Sequence, residues 1–418
     1  MEKFINKLLD LDLIKYEDFN NKTNEVNSFI EQVNKQSKKK KILIFLSYDE
    51  TIDPFRTYMP YMDEFEFFLI FTNAIHNNWR NNYANAIISI ELNYKVLIHI
   101  LEKSIFDLML IANINLFWHW RYSLIKKVIK NIPIVCYERD FTSRYHMTDK
   151  CVLEEFLDNK KLADFSIENE NFLFNNADSI LCSFDDSRLM DLNNRIKFYL
   201  PVKDPIENKF NTYDSKEICL VHGGSLSLDS DKTMFNYWGR LQNLFFNISK
   251  HAIIESFVRF ATCTSNKSKE ATEWSSYKKI KNFKINKLIP VNEFIKYSSE
   301  NYLAGLCLIN CSQISKSSNI AYKYMYPTKI FTYLAAGIPV IISKEYEKSS
   351  DFILENGLGI AFSNEQITSE SFQLDLEELL KVKENIKKFD FNLIFKTQLE
   401  DLNQLYIKLI LNSQEKQL

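Results

Sequence analysis

Glycine is the conspicuous shortage in this 418-residue chain, which has seven, none of them before position 223. Bare backbone approaches a phosphate, or turns through a left-handed conformation without steric cost, only where no Cβ intervenes. The N-terminal half therefore has no glycine-built phosphate turn. Neither half contains G-x-G-x-x-G, which removes the dinucleotide fingerprint. The seven cysteines are scattered and odd in number, and no pair has zinc-ligand spacing with a partner pair elsewhere. They read as free thiols in a reducing, cytoplasmic setting. No run of 18 apolar residues exists, so no membrane-spanning helix is expected. Glu2, Lys3, Lys7 and Asp10 do not read as a secretory signal. An excess of charge of one sign is also missing: 52 basic against 54 acidic residues leave −2, no argument for a nucleic-acid partner.

What is present describes an ordinary globular protein, 46% hydrophobic and 25% charged, with a length that points to two domains. Residues 1–40 read as an amphipathic helical extension with Phe4, Ile5, Leu8, Leu9 and Leu13 on one face, followed by the lysine run Lys38 to Lys41. That extension either packs beside a sheet or touches the inner face of an anionic membrane as a peripheral contact. From 41 to 200, strands expected at 42–46, 66–71, 106–112, 132–137 and 179–183 alternate with helices, including 83–103 and 120–130. This pattern predicts a parallel sheet covered on both faces. Pro201 and Pro205 mark a crossing to a second alternating series over 201–388. Its strands are expected at 218–221, 252–261, 284–289, 305–310 and 340–342, with a helix around 232–248, and a long helix follows within 389–418, expected to pack back on the N-terminal domain. The fold class is α/β, two Rossmann-like domains whose parallel sheets face one another across a cleft.

Two places in the second domain suit phosphate. His222, Gly223, Gly224 and Ser225 follow the strand ending at Val221, and the glycines read as a turn, either phosphate-binding or merely tight. Further on, Pro327 can open a helix, Gly337 can close it in the left-handed conformation, and Pro339 forbids its continuation. The opening residues Pro327, Thr328 and Lys329 then combine unpaired backbone donors with a cation. Lys232 and Arg259 are weaker candidates for the same cluster. Asp229 and Asp231 match a D-x-D metal pattern but read better as a helix cap, so no metal is expected. In the first domain, Glu138, Arg139 and Asp140 end a strand in three charges, and Glu138 or Asp140 either orients or deprotonates a hydroxyl or pairs with Arg139 or Arg144. His119 and His146 are further cleft candidates, with packed or solvent-facing histidines as the alternative, and Trp118 and Trp120 either stack on a sugar face or belong to the core.

The segment from Tyr326 to Ile342, with Asn356, Gly357, Leu358 and Gly359 beyond it, resembles the donor-binding half of GT-B glycosyltransferases. It is most similar to the retaining family-4-like group, whose helix reads P-x-K-x-x-E-Y-L-A-x-G-x-P-V-I. The resemblance implies a nucleotide-sugar substrate, UDP-linked, and a saccharide or glycolipid acceptor, with no separate cofactor. It assigns the donor to Gly223, Gly224, Ser225, Lys232, Arg259, Pro327, Thr328, Lys329 and Thr332, with residues near Asn292 and Glu293. Asp140, Glu138 and His119 go to the acceptor side. Where the group carries glutamates, this chain has Thr332 and, eight residues earlier, Tyr324. That departure keeps open a non-catalytic subunit supporting an active partner, and the fold is shared with nucleotide-sugar epimerases.

Overall fold

The computed structural model describes residues 1–46, 57–72, 84–114, 119–138, 160–183, 185, 196–202, 213, 215–226, 240–259, 275–311 and 319–416. Internal contacts divide the chain into two compact units, Met1–Tyr199 with Lys396–Leu418, and Leu200–Phe395.

The first unit is built on seven parallel strands: β1 (Lys40–Leu46), β2 (Phe65–Phe71), β3 (Ala86–Ser89), β4 (Leu108–Ile114), β5 (Ile134–Glu138), β6 (Ser179–Cys182) and β7 (Ile196–Phe198). Their order is β3-β2-β1-β4-β5-β6-β7. Ile42 to Leu46 are essentially inaccessible, the unbroken apolar run of a strand covered on both faces. The N-terminal extension is two helices, α1 (Glu2–Asp10) and α2 (Thr23–Asn34), rather than one. Ile5 and Leu8 are buried, while Leu9, expected on the same face, is 41% exposed. The single helix expected over 83–103 is also divided. Its first part is the strand β3, paired with β2 from Phe68↔Ala86, and only Tyr94–Lys103 forms a helix, α3. A short apolar run of Ile87 and Ile88 fits either periodicity, and their β-branched side chains favour the strand. Asn93 caps α3 by accepting from the Lys95 N–H at 3.1 Å. Further helices are α4 (His119–Val128) and α5 (Lys160–Asn176).

Scarcity of glycine leaves a mark here. Asp12, Glu91 and Leu92 occupy positive φ of 52°, 47° and 63°, a conformation side chains resist. The pair at 91–92 is held by the Lys22–Glu91 ion pair and by the Leu92 N–H donating to the Thr72 carbonyl. The lysine run is partly consumed by structure as well. Lys41 Nζ donates to the Val33 and Lys35 carbonyls at the end of α2, complementing the helix dipole, and Lys40 pairs with Asp107 at 3.6 Å. Lys38 and Lys39 remain exposed.

The second unit repeats the winding with six parallel strands: β8 (Cys219–Ser225), β9 (Ile253–Arg259), β10 (Phe283–Lys287), β11 (Ala304–Cys307), β12 (Val340–Ser343) and β13 (Gly359–Phe362), in the order β10-β9-β8-β11-β12-β13. Its helices include α6 (Gln242–Ile248), α7 (Val291–Asn301), α8 (Asn319–Tyr324), α9 (Thr328–Ala335), α10 (Glu347–Glu355) and α11 (Leu376–Ile386). A last helix, α12 (Phe391–Glu415), begins in this unit and continues in the first, where the Tyr406 ring meets Phe65 edge-on and Ser413 donates to the Asn131 carbonyl. Strand β13 was not anticipated because it starts on Gly359, which reads as turn. Gly359 lies opposite Val340 in the ladder, and a Cβ there would sit 2.0 Å from the Val340 carbonyl oxygen. Close strand approach, not a turn, requires that glycine. Among the described residues no helix is long and apolar enough to cross a membrane.

Candidate functional site

In a doubly wound sheet the strand order reverses once, and ligands bind beyond the carboxyl ends of the two strands at that point. In the second unit these are β8 and β11. Sequence-predicted residues converge there. Strand β8 does not stop at Val221, as expected, but runs through both glycines, pairing Gly223↔Phe257 and Gly224↔Val258 with β9. Pairing along a whole strand outweighs the low strand propensity of two residues. Gly224 takes φ 131°, and a side chain there would point at the Lys329 ammonium, 3.6 Å away. Gly223 is packed differently: the Phe294 ring would lie 2.8 Å from a Cβ, and the Gly223 N–H is already used, donating to Tyr333 Oη at 2.9 Å.

Helix α9 delivers both Lys329 and Tyr333. Pro327 serves as its N-cap, one residue before the position expected, and no side chain caps the first turn. The C-terminus closes as a Schellman motif: the Gly337 N–H donates to the Leu334 carbonyl, the Ile338 N–H to the Tyr333 carbonyl, and Gly337 sits at φ 68°. Tyr333 is fully buried and donates to the Leu306 carbonyl at 3.1 Å. Its hydroxyl thus ties the carboxyl ends of β8 and β11 together, and its ring lies over Gly305.

Lys329 Nζ lies 3.4 Å from His222 Nε2, and His222 Nδ1 lies 2.9 Å from Ser256 Oγ. His222 and Ser256 are both inaccessible to solvent. Burial lowers Lys329 from its usual range. Burial, reinforced by the Lys329 charge, holds the His222 imidazole well below its ordinary 6.5. Cys307 stands nearby, but burial pushes its thiol up to about 11, so it carries no countercharge at neutral pH. Among the described residues no carboxylate pairs with Lys329. A cation with no carboxylate partner among the described residues, a helix N-terminus without a side-chain cap and the bare Cα of Gly224 make an arrangement chemically suited to an anion.

The histidine has a testable consequence for stability. Its folded-state pKa lies below the unfolded value, so above about pH 6.5 both states are neutral and it has no effect. As pH falls below that, the unfolded chain binds a proton that the folded chain refuses, and stability is lost. Between pH 7.5 and 5.5 the wild type should lose about 1 kcal/mol more than His222→Gln in urea denaturation. Parallel losses would contradict the assignment.

The remaining expected residues divide. Thr328 is exposed at the mouth of α9. Thr332 donates its hydroxyl to the Thr328 carbonyl at 3.2 Å, leaving it to accept rather than donate. Asn292 and Glu293 are exposed in the first turn of α7, directly before Phe294. Ser225 and Arg259 end β8 and β9 in register with one another. Lys232 lies outside the described residues, as do Asp229, Asp231, Trp118, Asp140 and His146. In the first unit Glu138 ends β5. His119 opens α4 fully buried, and Trp120 takes the core alternative rather than that of a sugar platform, its ring 5.1 Å from that of Tyr94. Both are drawn inside because α4 is buried along nearly its whole first half. His222, Ser256 and Tyr333 were not among the expected site residues. The usable signal was the place of His222 directly before the two glycines of β8.

Residues 252–396 match the family model described as the glucosyltransferase 3-like C-terminal domain. Among solved structures, the chain is similar to a sucrose-phosphate synthase from Thermosynechococcus elongatus at 9% identity. That likeness covers 89% of this chain and 100% of the other, with a TM-score of 0.57. It is also similar to a glycosyltransferase from Rickettsia africae at 10% identity, over 90% and 99% of the two chains, with a TM-score of 0.53. No curated protein matches the chain. The fold is GT-B, two parallel-sheet α/β domains. Within that fold, residues 252–396 are similar to the glucosyltransferase 3-like C-terminal domain.

Proposed function

We propose that the chain transfers a sugar from a UDP-linked donor to a saccharide or glycolipid hydroxyl, with retention of configuration and without a metal. The observation that carries this reading is Lys329, a cation with no carboxylate partner among the described residues, at the opening of α9 and beside Gly224. Cleaving a sugar–phosphate bond leaves added negative charge on the diphosphate. Lys329 and the first-turn N–H groups of α9 would stabilise that charge as it develops. The family description makes glucose the first sugar to try. Ser225, Thr332, Arg259 and Lys232 complete the proposed donor contacts, and Glu138 and Asp140 are the proposed acceptor-side carboxylates. The resemblance of the Tyr326-to-Ile342 segment to the retaining family-4-like group supports the retaining reading.

The direct test is release of UDP from UDP-glucose by the isolated chain, with and without a panel of saccharide acceptors. Acceptor-dependent release is expected. An isomerised nucleotide sugar without acceptor would indicate an epimerase. Absence of turnover with intact UDP binding would indicate a supporting subunit.

A further inference from the structure

We propose that His222 is a positioning residue that aims the Lys329 ammonium at the donor diphosphate, with Ser256 fixing the imidazole for that task. The inference rests on the reading of Lys329 as the diphosphate cation. Lysine is a flexible point charge on four rotatable bonds, and without a partner it spreads over many rotamers. Here one of its three N–H donors meets His222 Nε2 at 3.4 Å. An ammonium can only donate, so Nε2 must be the bare nitrogen, and the ring proton resides on Nδ1. That proton is donated to Ser256 Oγ, 2.9 Å away. The Phe245 ring meets the imidazole edge-on at 5.4 Å, limiting its rotation. The order Ser256, His222, Lys329 therefore has one polarity, and it leaves two ammonium donors free beside Gly224. A carboxylate in place of His222 would hold the lysine as well but would neutralise the charge the diphosphate needs. A neutral imidazole orients the cation and keeps its charge available.

The test is a double-mutant cycle read by calorimetric titration of the full chain with UDP, using His222→Phe, His222→Gln, Ser256→Ala and Lys329→Ala. Phenylalanine keeps the packing and removes the acceptor, and UDP affinity should fall about tenfold, the worth of one oriented charge-assisted hydrogen bond. Glutamine places an amide oxygen near the Nε2 position and should recover most of the loss. In a Lys329→Ala background the His222→Phe substitution should have no further effect, because the lysine through which it acts is gone. Should His222→Phe fail to fold, Ser256→Ala serves: a smaller loss is expected, also absent beside Lys329→Ala. Unchanged UDP affinity in the Phe and Ala variants, or an equal loss with and without Lys329, would overturn this inference alone. Absence of UDP binding by the wild type would overturn it together with the proposed function.

Discussion

Replacing Lys329 with alanine lowers the affinity for UDP by roughly 10- to 100-fold, the range expected for losing a charge-assisted contact with a diphosphate. It does so without lowering the unfolding temperature of the ligand-free protein. The second half of this expectation separates a functional lysine from a structural one. Lys329 is held partly inside the unit with no carboxylate beside it among the described residues, facing a neutral imidazole and a protonated thiol. Burying a cation without a countercharge is unfavourable, and its lowered pKa expresses that cost. Lys329→Met, which keeps the length and removes the charge, should therefore stabilise the free protein by about 1 kcal/mol while abolishing most UDP binding. Calorimetric titration and thermal unfolding of the same samples check both halves. A destabilised variant with unchanged UDP affinity would reassign Lys329 to structure.

The second large effect is on folding. Gly305→Ala places a methyl group 2.3 Å from Cγ of Tyr333, inside its ring. That ring cannot swing aside cheaply, because its hydroxyl is held by the Gly223 N–H and the Leu306 carbonyl, and Phe294 packs at 6.2 Å. Ordinary overpacking costs about 1–3 kcal/mol, and a displaced Tyr333 adds one or two unsatisfied buried backbone groups. A loss of about 3 kcal/mol or more is expected. For a unit of this size that is a fall of roughly 6–12 °C in unfolding temperature. Since Tyr333 lies one helical turn beyond Lys329, UDP affinity should fall as well. A fall of under about 2 °C would mean that the tyrosine bridge is not a fixed element of the site.

Much of this was legible in the residues. Alternating apolar runs indicated two parallel sheets, and Pro327, Gly337 and Pro339 bounded α9 to within a residue because cap chemistry is local. Elements that depend on partners far away in the chain were harder. Strand β3 resembles a helix until β2 is beside it, β13 begins on a glycine whose reason is the Val340 carbonyl, and β8 continues through two glycines because β9 pairs with them. The same division holds for the site. Lys329 announced itself by standing at a helix start, whereas His222, Ser256 and Tyr333 belong to it through contacts spanning from 34 to 110 residues of sequence. The glycine asymmetry also takes on a narrower meaning. Gly223 and Gly305 make room for rings, Gly359 makes room for a strand, and among the described glycines Gly224 alone leaves space beside the cation.

The donor diphosphate is expected at the opening of α9 against Lys329. A crystal structure of the chain with UDP tests this placement most directly. Diphosphate oxygens should lie within hydrogen-bonding distance of Lys329 Nζ and of the first-turn N–H groups of α9, with Lys329 still in contact with His222. A diphosphate bound elsewhere in the chain, with this helix start unliganded, would contradict it.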